Sequence, residues 1–243
     1  MPTSTVPPVP DHCATGGTGV HPDYHGCDLS FADGSNLDLS FANFIGANLF
    51  GANLNHANLT SANFTGADLA FADLTFANLD SSTLANADLG SATLANAYLG
   101  GAILANADLF GAILVGAYLS AADLSNANLA FADLSNANLS NANLSVANLA
   151  FASLTLAHLT YADLTNASLL SADLAFADLT NANLTNADLT NASLLSANLV
   201  FADLSNANLT NANLTKGTIL IGANWFNTTC PNGVVQSTEC APL

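Results

Sequence analysis

The amino-acid sequence predicts an all-β solenoid, a rod built from one short unit that recurs along the chain. From Cys27 onward the chain repeats every five residues, with Leu at 35 of 39 successive positions between Leu29 and Ile219. Ala occupies 35 of the positions that lie two residues before these. All seven prolines lie outside the repeat, as expected where every backbone N–H is needed for hydrogen bonds between coils.

The five-residue period predicts which side chains face the core. It matches neither a helix nor a plain strand, but it fits a short extended step followed by a corner. Residues two apart on an extended step point the same way. We therefore expect an inward Ala and an inward Leu in each unit, with an outward residue between them, usually Asp or Asn, and two corner residues after the Leu.

The repeat resembles that of the pentapeptide-repeat proteins, A-(D/N)-L-x-x, as in Ala47-Asn48-Leu49-Phe50-Gly51. The resemblance covers roughly residues 27–226. It implies the family's right-handed, quadrilateral β-helix, with four pentapeptides in each coil and about ten coils here. At ~4.8 Å between stacked strands, the rod would be on the order of 45–50 Å long.

Composition and charge limit the classes of partner. The chain has 243 residues, is 51% hydrophobic, and carries 18 acidic residues against one basic residue, Lys216. A net charge of −17 argues against direct nucleic-acid binding, because holding a phosphate backbone requires Lys and Arg. The high hydrophobicity argues against disorder, and no apolar run approaches the ~18 residues of a membrane span.

The two ends of the chain differ from the repeat. We interpret residues 1–26 as an N-terminal arm and cap, because a bare terminal coil would expose apolar core and unpaired backbone. Residues 27–226 form the predicted β-helix. Near Ile219 the register slips by one residue, and we expect Trp225 to close the core. Residues 227–243 resemble the short Cys-containing tails that follow the repeats in many bacterial members of the family.

The four cysteines form two local pairs, Cys13 with Cys27 and Cys230 with Cys240. An even number at local spacing favours two disulfides in the caps. Such bridges predict an oxidising location, outside the cell or in the cell envelope. Residues 1–10 lack the basic start and apolar core of a signal peptide, so export would need a leader already removed or another route.

Two alternatives for the cysteines stay open. Four free thiols would indicate a cytoplasmic protein. A metal site would use clustered residues near the N-terminus, although their spacing matches no recognised zinc pattern. Those residues are His12, Cys13, His21, His25 and Cys27.

No arrangement of residues suggests catalysis. Ser and Thr recur at corners without a paired base, the Gly residues form no phosphate-binding loop, and His56 and His158 stand at outward-facing positions. We predict a protein that is not an enzyme and that needs no cofactor or resident metal.

Folding the chain with four repeat units in each coil, as the family suggests, stacks like residues in columns. One face column places Asp68, Asp88 and Asp108 about one strand spacing apart. Carboxylates so close would bind a cation, take up protons, or be screened by solvent. One corner column is mainly Asn, whose stacked amides can form ladders. It contains Asn86, Asn106, Asn126, Asn166, Asn186 and Asn206, and is broken by Val146.

The most unusual column is aromatic. Only Phe44 and Phe64 of the 13 phenylalanines take inward Leu positions. Six of seven successive coils place one Phe along a single edge, which we call the Phe edge. Its members are Phe31, Phe50, Phe71, Phe110, Phe131 and Phe151. Exposed apolar patches of this size commonly mark an association surface. The edge is therefore predicted to bind a protein or a second copy of the chain, unless each ring merely shields its neighbour's backbone.

These features favour a non-enzymatic, exported scaffold that binds proteins, wall components or copies of itself through its sides. The resemblance offers a second function, because some family members bind DNA gyrase as acidic mimics of DNA. Acids on every side of this chain and the lack of a C-terminal dimerising helix weaken that alternative. A third is binding to an ordered surface such as ice or a polymer through hydroxyl ladders, for example Ser120, Ser140, Thr160 and Thr180.

Overall fold

The five-residue units wind around a common axis in the computed structural model, which describes residues 13, 21–215 and 217–240. Parallel bridges join each outward residue to its counterpart four units later, as in Asp68 to Asp88. Four units therefore complete one coil, and the outward residues align on four faces. Face 1 runs from Asp28 to Thr229, face 2 from Asp33 to Asn213, face 3 from Asp38 to Ile219 and face 4 from Asp23 to Asn224.

Backbone hydrogen bonds join successive coils. Asp108 donates its N–H to the carbonyl of Ala87 (2.9 Å), and its carbonyl accepts from the N–H of Leu89 (2.6 Å). Because a corner follows every short step, each face has room for one bridged residue per coil. The part of the chain that the structure describes contains two longer strands, β1 (Thr228–Thr229) and β2 (Val235–Gln236), which pair antiparallel.

Each corner is a tight turn whose third residue has a positive φ. In one such turn Ala92 donates its N–H to the carbonyl of Leu89 (2.9 Å), and Ser91 has a φ of 55°. A positive φ at this position is the mark of a type II turn. The five-residue pattern did not reveal the requirement, because Phe, Ser and Ala occupy the position as well as Gly and Asn.

The inward Ala and inward Leu columns form one continuous core. Every inward residue from Ala42 to Leu214 is no more than 3% exposed, which confirms the predicted inward assignment. Burying a Leu side chain stabilises the fold by ~1.5–3 kcal/mol, and the small Ala beside it lets the walls approach. Phe44 and Phe64 also lie in the core, with their ring centroids 4.7 Å apart.

The N-terminal end of the ladder is less completely filled. Among the described residues it extends back to Asp23, before the predicted boundary at Cys27, and Tyr24 stacks on Phe44 with 5.1 Å between ring centroids. Gly34 replaces an inward Leu and leaves a cavity of about 140 Å³. Leu37, at an inward Ala position, lines that cavity and remains 50% exposed. Residues 1–12 and 14–20 of the predicted arm and cap lie outside the described residues.

The C-terminal register differs from the prediction. Asn198 bridges Ile219, one position beyond the partner that the regular repeat would give it, so the extra residue lies before Ile219. Ile219 therefore points outward and Leu220 points inward, 44% and 8% exposed respectively. Assigning Ile219 to an inward Leu position was wrong, because one added residue reverses which side of an extended step faces the core. Trp225 is buried in the last coil, as predicted.

Candidate interaction surface

The four cysteines form two disulfides, one near each end of the described rod. Cys13 is bonded to Cys27 and Cys230 to Cys240, with Cα atoms 5.7 and 5.5 Å apart. This pairing confirms the predicted bridges and contradicts the alternative of free thiols. It also removes both thiols from the alternative metal site, of which His12 lies outside the described residues. In the described part of the chain no three His, Cys, Asp or Glu side chains group as metal ligands.

The rings of the Phe edge lie in two groups of touching side chains. Phe50 lies 5.6 Å from Phe31 and 5.4 Å from Phe71, measured between ring centroids. Phe131 lies 5.4 Å from Phe110 and stacks 4.9 Å from Phe151. The groups are separated at the coil in which Gly90 and Ser91 take the corner.

Rings of the Phe edge both cover backbone and face solvent. Phe31 lies across Gly51, where an added Cβ would come within 2.7 Å of the ring. Even so, five of the six side chains remain between 47% and 72% exposed, and Phe50 is half-buried. Shielding of a neighbouring corner therefore leaves about half or more of most of these side chains accessible to solvent.

Four members of the Phe edge occupy strained backbone. Phe31, Phe71, Phe131 and Phe151 have φ between 57° and 61°, in the left-handed region that favours Gly and Asn. Placing a residue with a Cβ there costs roughly 1–2 kcal/mol. Asn fills the same position at other corners of this chain, so the backbone alone does not call for Phe.

The acidic column lies beside the gap in the Phe edge. Asp68, Asp88 and Asp108 are successive bridged residues of face 1. Asp88 accepts a hydrogen bond from the N–H of Gly90 (2.8 Å), and Asp108 accepts from the amide of Asn128 (2.9 Å). A surface hollow of about 350 Å³ opens here, bordered by Phe71, Phe110 and the Asp88 and Asp108 carboxylates.

The Asn column serves the corner geometry. Its six predicted members all have φ between 57° and 59°. Asn adopts this conformation more readily than other side chains, which explains why it recurs there. Within the described residues, the amide–amide hydrogen bond of this corner joins Asn227 to Asn206 (2.8 Å). The ladder among the other members stays a prediction.

Comparison with known proteins assigns the chain to a family. The family model described as "Pentapeptide repeats" matches eight times, and the matches together span residues 22–215. The chain belongs to the pentapeptide-repeat family. A search of curated protein sequences found no match, so the assignment rests on this model.

Several solved pentapeptide-repeat structures are similar to the chain. HetL from the cyanobacterium Nostoc sp. strain PCC 7120, described as involved in heterocyst differentiation regulation, is 33% identical over 93% of this chain and 96% of HetL, with a TM-score of 0.42. QnrB1, described as a plasmid-mediated fluoroquinolone resistance protein, is 20% identical over 74% of this chain and 90% of QnrB1, with a TM-score of 0.45. A thylakoid lumen protein from Arabidopsis thaliana is 32% identical over 45% of this chain and 66% of its own, with a TM-score of 0.32.

The structure gives the Asp or Asn of the pentapeptide repeat a role that the sequence reasoning missed. Its side-chain oxygen accepts a hydrogen bond from the backbone N–H two residues later, as in Phe110 to Asp108 (3.0 Å) and Thr185 to Asn183 (3.1 Å). This is the local side-chain-to-backbone bond for which Asp and Asn are suited. The recurrence of these two residue types before the corners could have indicated it. We call it the corner bond.

Hydroxyl groups support the same corners. Thr60 Oγ1 donates to Asn58 Oδ1 (2.7 Å), and Thr180 Oγ1 donates to Asp178 Oδ1 (2.6 Å). In the first coils the carboxylate of Asp28 accepts hydrogen bonds from the hydroxyl and from the backbone N–H of Ser30. These bonds hold the pKa of that carboxyl below its usual value. Ser35 and Ser40 lower the pKa values of Asp33 and Asp38 in the same way. Proteins of this family are generally structural or interaction modules without enzymatic activity, and these hydroxyls act here as structural donors.

Proposed function

We propose that this pentapeptide-repeat protein is a non-enzymatic scaffold, a rod that binds a protein partner through its sides. Its right-handed coil and our count of about ten coils are part of the proposal. The Phe edge is the observation that carries it. Bulky rings stand in strained, exposed corner positions where Asn or Gly would fit with less strain, so a use for the rings explains their presence.

The distribution of acids favours this scaffold over a mimic of DNA. Carboxylates stand on all four faces, for example Asp68 on face 1, Asp73 on face 2, Asp178 on face 3 and Asp163 on face 4. A protein that mimics the two phosphate backbones of DNA would need its carboxylates confined to two lines along the rod. The described residues contain no helix long and apolar enough to cross a membrane.

The Phe edge is tested by replacing Phe71, Phe131 and Phe151 with Ser in one variant. Loss of these rings is expected to weaken self-association or partner binding by about tenfold without unfolding the rod. A matched control changes Phe76, Phe176 and Phe201, which have the same positive φ at other corners, to Ser. Light scattering gives the particle mass, and quantitative cross-linking in the natural source gives partner recovery. Unchanged mass and unchanged recovery in the first variant would disprove the proposal.

We further propose that the protein works outside the cytosol, in the extracellular space or the cell envelope. The two disulfides support a non-reducing location, because thiols are kept reduced in most cytosols. Mass spectrometry of protein from its natural source, alkylated with and without prior reduction, tests it. Two intact bridges are expected, whereas four free thiols would place the protein in the cytosol.

A further inference from the structure

The outward positions change character in the middle of the rod. From Asp23 to Asn213 the outward residue is Asp, Asn, Ser, Thr or His in every unit except four. The exceptions are Tyr98, Ile103, Ile113 and Tyr118, which lie no more than one coil apart. With the corner residue Phe110 they form what we call the waist. Each of the five is between 43% and 47% exposed.

The waist surrounds most of the rod at one height. Tyr98 and Tyr118 stack on face 3, with 4.9 Å between ring centroids. Ile113 lies on face 2 and Ile103 on face 4. Phe110 occupies the corner between faces 1 and 2, next to the hollow bordered by Phe71, Asp88 and Asp108. Phe110 borders the acidic hollow of face 1 and Ile113 lies on the next face, while Tyr98, Tyr118 and Ile103 continue the waist around the other two faces.

The waist lacks a local interaction that Asp and Asn make in most other units. Tyr and Ile have no oxygen positioned to accept the corner bond from the N–H two residues later. Among the described residues, the N–H groups of Ala105, Val115 and Ser120 lack that bond. The N–H of Gly100 bonds instead to Asp80 Oδ1 of the preceding coil (2.7 Å). Units with Ser or Thr at this position, such as Thr83, Thr93 and Ser153, lack the bond as well. The waist therefore differs from the rest of the rod in its exposed apolar side chains, which mark association surfaces.

We propose that the waist is the docking surface for a basic protein, whose Arg or Lys side chain enters the hollow between Phe71 and Phe110. This inference rests on the proposed scaffold function and names the class of partner. A cation in this shallow hollow would lie beside Asp88 and Asp108 and next to the side chains of Phe71 and Phe110, whose aromatic rings attract cations. Apolar groups of the partner beside that cation would cover Phe110 and Ile113, and a partner that wraps around the rod would reach the rest of the waist.

Charge decides between a basic partner and a second copy of the chain. Each copy carries a net charge of −17, and its single basic residue is Lys216. Two copies that met at the waist would bring like charges together and could supply few cations to their hollows. A partner rich in Arg and Lys would be attracted by the negative charge of the rod, and its cationic side chains would occupy the hollow.

Peptide selection tests the class of partner. Random dodecapeptides displayed on phage are selected on the immobilised full chain, and the winners are titrated against variants by fluorescence anisotropy. We expect winners that combine Arg or Lys with apolar residues. Their affinity should fall at least about tenfold in a variant that combines Ile103→Asn, Ile113→Asn and Tyr118→Asn.

The hollow is tested by its charges. Asp88→Asn with Asp108→Asn should weaken the same peptides by about tenfold, since Asn keeps the size and the corner bond of each residue but removes its charge. Asp163→Asn with Asp203→Asn removes two charges from face 4 in coils away from the waist, and these substitutions should leave affinity within about twofold. Circular dichroism melting confirms that each variant is folded.

The proposal is overturned if no peptide binds, if the winners are uncharged or acidic, or if they bind the waist and hollow variants as they bind the parent. An equal loss of peptide affinity in the Asp88/Asp108 and Asp163/Asp203 double variants would also overturn it. The attraction would then depend on the net charge of the rod and not on the hollow. Failure of the waist proposal can be told apart from failure of the scaffold function. If the recovery of a cross-linked partner still depends on the Phe edge, the scaffold function is supported even when the waist binds no basic peptide.

Discussion

Residues 98–118, which carry the waist, and residues 168–213 share one backbone arrangement and differ in the side chains that they present to solvent. In both, each inward Leu donates its N–H to the next coil, as in Leu104 to Asp123 (2.6 Å) and Leu184 to Asp203 (2.7 Å). Their inward residues are equally buried. The outward residues of 168–213 are all Asp, Asn or Ser, whereas those of 98–118 are Tyr and Ile, apart from Asp108. Inward columns therefore hold the rod together, and outward columns accept a wider range of residue types.

The largest expected effect comes from a charge in an inward column. Ala137 is fully buried, so Ala137→Asp would place a carboxylate in the core without a partner. We expect a loss of about 5 kcal/mol or more in the free energy of unfolding, enough to prevent folding of the central coils. Thermal melting by circular dichroism measures it.

The adjacent residue supplies the control for this substitution. Asn138 is outward and accepts the corner bond from Ser140 (3.1 Å), which Asp can also accept. Asn138→Asp should change stability by less than about 0.5 kcal/mol. A parent-like melt for Ala137→Asp would contradict the separation between inward and outward columns.

Reduction of the disulfides should come next, and should act on the ends of the rod. Each bridge closes a short loop, with sequence separations of 14 and 10 between the bonded cysteines. Loss of a bridge is expected to lower the free energy of unfolding at that end of the rod by about 2–4 kcal/mol. Hydrogen exchange after reduction should rise first near the two termini and last at the waist, because stability in a solenoid passes between neighbouring coils. Uniform loss of protection along the rod would show instead that it unfolds as one unit.

A stabilising change is available inside the inward Ala column. Ser82 takes an Ala position, is fully buried, and its hydroxyl has no hydrogen-bond partner among the described residues. Ser82→Ala should raise the free energy of unfolding by about 1–2 kcal/mol, since the unpaired hydroxyl no longer needs to be desolvated. Urea denaturation compares the variant with the parent, and a lower midpoint would mean that the hydroxyl has a partner in solution.

The smallest effect concerns the waist itself. Ile113→Asn restores the residue type that elsewhere accepts the corner bond, here from the N–H of Val115. The new bond is worth ~0.5–1.5 kcal/mol, while the half-buried Ile gives up some apolar contact. We expect stability within about 1 kcal/mol of the parent while peptide binding weakens. If Ile113→Asn destabilised the rod by several kcal/mol, the waist would have a structural role.

Much of the fold could be predicted because the repeat is local. Inward Ala and inward Leu follow from the five-residue period, and the disulfide pairs follow from short separations in the chain. The position of the register slip could not be read from the pattern, because Ile219 fits an inward position by residue type. Its bridge to Asn198, made across coils, decides that it points outward.

The candidate surface could also be predicted only in part. The Phe edge could be predicted once four repeat units per coil were assumed, because its rings recur at related positions. The waist was missed, since Tyr98, Ile103 and Ile113 fall in different columns and share only their height on the rod. The positive φ at each corner was missed too, although it explains why Asn recurs there.

The sequence by itself determined the period, the inward columns and the strong negative charge of this protein, and it favoured the two cysteine pairs. Each depends on residue types at fixed, short separations, which the chain displays directly. Only the tertiary structure decided where the register changes, which outward residues share one height, and where a hollow opens between two groups of rings. These depend on contacts between residues a full coil apart in the chain, because stacking brings together side chains that a five-residue pattern treats as unrelated.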